Sequence, residues 1–375
     1  MVENNSIVSQ VLKSKPVVVR KIAEKVLALQ RISFDEAVVL YKEADLGLLG
    51  MLADRVNAVK NSGKVYFNQN FHIEPTNICV HNCTFCSYRR ALGEEGSWEM
   101  SIDDIRQKVG EYKDTRVTEV HITGGVHPNW DINYFGRIIR AIKEILPSIH
   151  VKAFSAIEID YVIEKAGVTL SDGIRQLKLF GLDSIPGGGA EIADPAIRKQ
   201  ICGTKTSWKR WLEIHEAAHN EGLQSNATML YGHIESYEHR VKHMLDIREL
   251  QDRTHGFNSF IPLKFKATNN ELGSIGEVAS TEDLRNFAVS RVFLDNFDHI
   301  KAYWPMLGKE QARLALEFGA DDFDGTVDDS TKIYSMAGSE EQRPSMTVSE
   351  VETIIRAVGR QPVERDSLYN SIRVF

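Results

Sequence analysis

Three cysteines, Cys79, Cys83 and Cys86, fall within eight residues as C-x₃-C-x₂-C, and the remaining cysteine, Cys202, lies more than a hundred residues downstream. Thiolates are the ligands of iron–sulfur clusters, and a [4Fe–4S] cube usually takes four of them. A compact loop that supplies three leaves one iron open to a ligand that is not a side chain. A structural zinc site would instead use Cys₃His or Cys₄ in paired halves, and no second half is visible. His81 sits inside the loop, too near Cys79 and Cys83 in sequence to close a tetrahedron, and His72 is the weaker fourth-ligand candidate. Three clustered thiols cannot pair among themselves, and the chain shows no secretory signal pattern, so reduced thiols and a cytoplasmic setting are expected. Cys202, in Lys199-Gln-Ile-Cys-Gly, reads as a helix-end cysteine outside the ligand set.

Other groups suited to chemistry follow at intervals. Gly124-Gly125 leads into Val126-His127-Pro128, and Pro186-Gly-Gly-Gly-Ala-Glu191 is a second glycine-rich turn. Glycines let backbone approach a ligand closely. Ser184 and Glu191 could bond a ribose or an amino group, because carboxylates accept well from hydroxyls and cations. His72, His121, His127 and His233 are spread along the same stretch, and Glu235 closes Tyr231-Gly-His-Ile-Glu235. His127, His233 and Glu235 are the candidates for catalysis, and His72, Asn226 and Arg291 for holding a substrate.

These groups need a scaffold that gathers them. Residues 1–62 read as helices, with Ser33 and Glu36 at capping-box spacing. From residue 65 short β-rich runs alternate with amphipathic helical stretches. The expected strands begin at Phe71, Glu119, His150, Leu182, Ser225, Phe257 and His299, with an eighth at Asp321-Asp-Phe-Asp. Ser101 and Ser280 stand where helices should open. Strand–helix alternation implies a parallel sheet, and seven or eight units imply an α/β fold, a full or nearly closed (β/α)₈ barrel. Five successive strands end in Gly, His or carboxylate, which places a common site at the C-terminal face of that barrel. The expected organisation is an N-terminal helical extension over 1–64, the barrel over 65–340 and a C-terminal helical segment over 341–375.

The 375 residues are 42% hydrophobic and 26% charged, with a formal net charge of −7. This is the composition of a soluble globular enzyme. With no basic run, a nucleic-acid footprint is not expected. No apolar stretch reaches the roughly 18 residues that span a bilayer.

The cysteine loop resembles that of the radical S-adenosylmethionine (SAM) superfamily, in which SAM fills the open iron and is split to a 5′-deoxyadenosyl radical. Six segments narrow the resemblance to the aminofutalosine synthase family of the futalosine route to menaquinone. They are Thr76–Cys86, Glu119–Pro128, Lys152–Glu158, Asp183–Ile192, Ser225–Glu235 and His299–Trp304. The likeness covers about residues 65–340. The chain departs from it at Leu263-Lys-Phe-Lys-Ala-Thr, where the family usually carries His-Pro after the phenylalanine.

The resemblance implies a [4Fe–4S] cluster on Cys79, Cys83 and Cys86, with SAM as co-substrate. It places Gly124 and Gly125 against the methionine end of SAM, and Phe85 beside the adenine. Gly125→Val is then expected to weaken SAM binding more than cluster assembly. The implied substrate is 3-[(1-carboxyvinyl)oxy]benzoate, whose carboxylates call for cations such as Arg291, Lys264 or Lys301. The implied electron donor is a reductant such as flavodoxin or ferredoxin. Rival readings are the related dehypoxanthine futalosine cyclase and, from another class, an iron–sulfur electron carrier, which should show a fourth cysteine near the other three.

Overall fold

The computed structural model describes residues 10–327, 332–339 and 342–375. Eleven strands are described: β1 Lys64–Asn68, β2 Asn70–Ile73, β3 Glu119–Ile122, β4 His150–Ala153, β5 Ser184–Ile185, β6 Gln224–Tyr231, β7 Phe257–Lys264, β8 His299–Ile300, β9 Asp322–Gly325, β10 Gln361–Arg365 and β11 Ser371–Val374. Strands β2 to β8 form one seven-stranded sheet in chain order, every pair parallel. Each crossover between them is helical, as parallel pairing requires.

The ring closes through β9. Lys301 and Asp322 form a parallel bridge, in which Ala302 N donates to Asp322 O at 2.8 Å and Asp321 N to Ile300 O at 3.0 Å. On its other side β9 pairs with β1, Tyr66 opposite Asp322. Only Gln69 separates β1, in a four-stranded sheet ordered β11-β10-β1-β9, from β2 at the edge of the seven-stranded sheet, and all eight expected strands take part in the (β/α)₈ arrangement.

The N-terminal helices Val17–Leu27, Phe34–Glu43 and Leu46–Asn61 pack outside this ring. Ser33 and Glu36 form the expected capping box, and Tyr41 Oη donates to Asn286 Oδ1 at 2.6 Å on the helix Ser280–Phe293. That helix is not capped by Ser280: its N-cap is Ala279, without a side-chain bond. Asp283, in its first turn, is buried and accepts from Tyr231 Oη and Lys264 Nζ.

The C-terminal segment differs from the helical expectation, and the boundary placed between 340 and 341 lies outside the described residues. Val348–Ala357 is helical, but β10 then pairs parallel with β1, and β11 pairs antiparallel with β10. Charged partners hide this strand from a hydrophobicity pattern. Arg365 donates to Asp322 at 2.8 Å, and Glu364 accepts from Gln69 at 2.6 Å.

Candidate active site

The cysteine loop leaves β2 and is held by its own backbone and by three other segments. Asn77 Nδ2 donates to Gly96 O, and its Oδ1 accepts from Trp98 N. Cys79 N donates to Arg90 O at 3.0 Å, Val80 N to Val126 O at 2.9 Å, and Thr84 N to Ile201 O at 2.9 Å. Cys86 N donates back to Cys83 O. The three thiols border one cavity of about 130 Å³ together with Thr123, Gly124, Gly125, Ser155 and Lys205. Burial pushes the Cys79 thiol up and the Cys83 thiol up to about 12, although Lys205 opposes this at both.

A buried thiol of this kind becomes a thiolate on binding metal. Three soft donors around a chamber fit a [4Fe–4S] cluster held on one side. Among the described residues no group of three or more His, Cys, Asp and Glu side chains is placed to hold a single metal ion. Cys202 is buried and lines no part of this chamber; it ends the helix whose Ile201 carbonyl supports Thr84.

The glycine pair after β3 is required by the loop itself. A Cβ on Gly124 would lie 2.7 Å from Thr76 O, and one on Gly125 2.2 Å from Ile78 O. Gly187 similarly lies against β6, where a Cβ would meet Asn226 O at 2.6 Å. The triple glycine thus lets the loop after β5 cross close to its neighbour strand.

A second cavity of about 240 Å³ lies inside the barrel and shares Thr123, Gly188, Gly189 and Lys205 with the first. Its polar lining includes His121, Lys152, Glu191, Asn226, Lys301 and Asp324. Ile261, Leu263, Tyr303, Ile333 and Tyr334 give it apolar and aromatic walls. Lys205 donates to Glu191 at 2.7 Å at the common wall, and its ammonium lies 5.3 Å from the Phe85 ring centre. Burial disfavours that ammonium, but Cys83 and Glu191 outweigh it and hold its pKa well above the usual lysine range. Glu191 has φ +48°, a left-handed backbone uncommon for a side-chain-bearing residue.

Several candidates from the sequence do not reach either chamber. His127 Nε2 lies 2.9 Å from Glu99 Oε2, and its ring stacks on Trp130. Glu235 accepts from Gly232 N, His233 N and Arg240 Nε, so it staples its own turn. His233 is buried in the same turn beside Leu230 O. None of His127, His233 and Glu235 is among the lining residues. Ser184 starts β5 and shares a 2.7 Å hydrogen bond with His150, away from the mouth. His72 packs edge-on against His121, 4.6 Å between ring centres, and only His121 lines the inner chamber. Lys264 is taken up by Val278 O and Asp283.

Arg291 is the clearest correction. Its helix lies outside the barrel, and its guanidinium is fully buried among Gly319 O, Phe297 O, Asp298 O and Asp321. It latches the helix to the β8–β9 junction. Arg291→Lys keeps the charge but loses the planar fork, and should cost about 1–3 kcal/mol of stability. Thermal unfolding against the unaltered protein checks this.

The sequence missed Lys152 and Lys205. A lone lysine in a strand or after a helix carries no pattern that distinguishes it from a surface residue. Lys152 occupies the same register on β4 as His121 on β3 and faces the same interior.

Glu158 adds a pH signature. It caps the helix Ala156–Ala166 and accepts from Ser155 N and Oγ. Burial pushes its carboxyl up to about 7, despite the opposing Ser155 bonds. The folded state therefore holds this proton longer than the unfolded chain, and the stability it contributes is lost as pH rises from 4.5 through 7. Glu158→Gln should flatten that part of the stability curve, read as the melting temperature against pH. An unaltered slope would remove Glu158 as its source.

Residues 73–247 match the family model described as the radical SAM superfamily, and residues 254–374 match the CofH/MqnC C-terminal region. The aminodeoxyfutalosine synthase of Thermus thermophilus is 44% identical over 358 residues, 94% of this chain and 96% of its own. That of Streptomyces coelicolor is 39% identical, covering 95% and 94%. The cyclic dehypoxanthine futalosine synthase of Streptomyces coelicolor is 35% identical, covering 94% and 88%. Among solved structures, methylornithine synthase (PylB) superposes with a TM-score of 0.73 at 15% identity, covering 92% of this chain and 97% of its own, which is a likeness of fold.

Proposed function

The chain belongs to the aminodeoxyfutalosine synthase family of the radical SAM superfamily, and we propose from this that it joins the adenosyl group of SAM to 3-[(1-carboxyvinyl)oxy]benzoate. The product is 6-amino-6-deoxyfutalosine, formed with aryl migration from oxygen to carbon and loss of a carboxylate. The observation that carries the proposal is the pair of adjoining chambers, thiol-lined toward the loop and cation-lined toward the barrel interior.

In this reading Cys79, Cys83 and Cys86 hold a [4Fe–4S] cluster, which when bound supplies the electron that cleaves SAM, itself drawn from a reductant such as flavodoxin or ferredoxin. Gly124 and Gly125 keep the wall beside the thiols free of side chains. Glu191 and Lys205, already paired at the common wall, present one anionic and one cationic group to the amino and carboxylate ends of SAM. The apolar walls Ile261, Leu263 and Ile333 keep the inner chamber short of water. Holding the alkene there at a near-attack separation of about 3–3.5 Å favours addition over loss of the radical.

The related cyclase reaction is the second reading. Identity to the two synthases, 44% and 39%, exceeds the 35% to the cyclic dehypoxanthine futalosine synthase and favours the first. An electron carrier would need a fourth thiolate at the cluster, and Cys202 does not line the thiol chamber. Anaerobic incubation of the cluster-loaded protein with SAM, reductant and the enolpyruvyl benzoate, followed by mass spectrometry, tests the assignment. An adduct containing the adenosyl group supports it; release of 5′-deoxyadenosine without adduct overturns it.

A further inference from the structure

We propose that Lys152 and Lys301 together form the receptor for the ring carboxylate of the benzoate substrate. The proposal rests on the functional reading above and deepens it.

Both lysines line the inner chamber and neither lines the thiol chamber. The vinyl carbon must lie toward the thiol chamber, where SAM is cleaved, so the ring end of the substrate is the one left to project inward. Lys152 comes from β4, while Lys301 follows β8, four strands on around the ring. They therefore reach the chamber from different sides.

The ammonium groups are poised for an anion. The two residues are 7% and 2% exposed, and burying such charges is costly unless they are paired. Lys152 donates to Glu119 Oε1 at 2.5 Å, and Lys301 donates to Asp324 Oδ1. An ammonium has three donors, and among the described residues neither lysine makes a second hydrogen bond within the protein. Two N–H groups on each remain to meet a ligand. Burial disfavours both ammonium groups: at Lys301 the carboxylate of Asp324 outweighs it and holds the pKa above the usual lysine range, whereas at Lys152 burial outweighs Glu119 and lowers it. The other cation at this chamber, Lys205, is bound to Glu191 at the common wall. Arg291 and Lys264, the other cations expected from sequence, are used elsewhere.

Removing a lysine alone would strand a buried carboxylate. The test therefore removes each pair together: Lys152→Met with Glu119→Gln, and Lys301→Met with Asp324→Asn. Cluster content and melting temperature identify folded protein. Calorimetry on the cluster-loaded enzyme with SAM and no reductant measures binding without turnover. Two probes are compared, the enolpyruvyl benzoate and its ring carboxamide, which keeps the shape and loses the charge. The unaltered enzyme should prefer the benzoate by about 10- to 100-fold, the range of charge-assisted hydrogen bonds. Each paired variant should lose most of that preference, and its KM for the benzoate should rise far more than its kcat falls.

Folded, cluster-loaded variants that retain the preference would overturn the lysine assignment while leaving the synthase reading intact. Failure of the unaltered enzyme to bind the benzoate or to form an adduct would overturn both.

Discussion

Replacing Cys79, Cys83 or Cys86 by serine is expected to leave the protein folded but without its cluster, and SAM cleavage should fall to background. The three thiols border one chamber, and Cys83 is pushed up to about 12 by burial. A thiol that binds iron does so as the thiolate. A serine hydroxyl is harder and far less acidic, and it does not replace a soft thiolate toward iron. With three side-chain ligands there is no spare. Cys202→Ser should behave oppositely, with iron and sulfide content and SAM cleavage near those of the unaltered protein. Cys202 lies near Cys83 and Lys205, but its helix supports the loop through the Ile201 carbonyl, which accepts from Thr84 N and Oγ1. Anaerobic reconstitution followed by iron and sulfide analysis decides the matter. A cluster that survives loss of any one of the three, or one lost with Cys202, would refute the ligand set.

Gly125→Val should destroy cluster assembly before it touches SAM affinity. From sequence alone the opposite order is expected, since a glycine after β3 reads as a place for SAM to approach. The tertiary contact reverses it. A Cβ at Gly125 would stand 2.2 Å from Ile78 O and 2.7 Å from Ile78 C, and Ile78 immediately precedes Cys79. Main chain cannot rotate aside as a long side chain can, and Gly125 N donates to Thr76 O at 2.8 Å in the same contact. Overpacking of ordinary cores costs about 1–3 kcal/mol; against backbone the cost here should be about 3 kcal/mol or more, and it falls on the cysteine loop. Gly188→Ala is the control, because its Cβ would meet only the Ser155 side chain at 3.6 Å. The expected result is a lower melting temperature and little reconstituted cluster for Gly125→Val, with near-normal values for Gly188→Ala. Full cluster content with weakened SAM binding in Gly125→Val would restore the order expected from sequence.

The sequence by itself determined the cysteine loop, the family and the eight barrel strands. Each rests on local information. Ligand spacing is written in C-x₃-C-x₂-C, and a buried parallel strand is a short apolar run between turn signals. The helix starts at Ser33 and Ser101 were legible for the same reason, since a capping box spans only four residues. Strand β10 was not, because its pairing partner β1 lies some three hundred residues earlier and its buried face is charged.

The tertiary structure alone decided which polar residues enter the chambers. His127, His233 and Glu235 sit in conspicuous motifs, yet their side chains pair with Glu99, Leu230 O and their own turn. Lys205 carries no motif and Lys152 only opens a segment of the family resemblance, yet both line the inner chamber. A motif fixes where the backbone turns, but the direction of a side chain depends on register across neighbouring strands and on which opposite charge is buried beside it. Those partners, Glu119 for Lys152 and Glu191 for Lys205, are brought close only when the sheet curls into a ring.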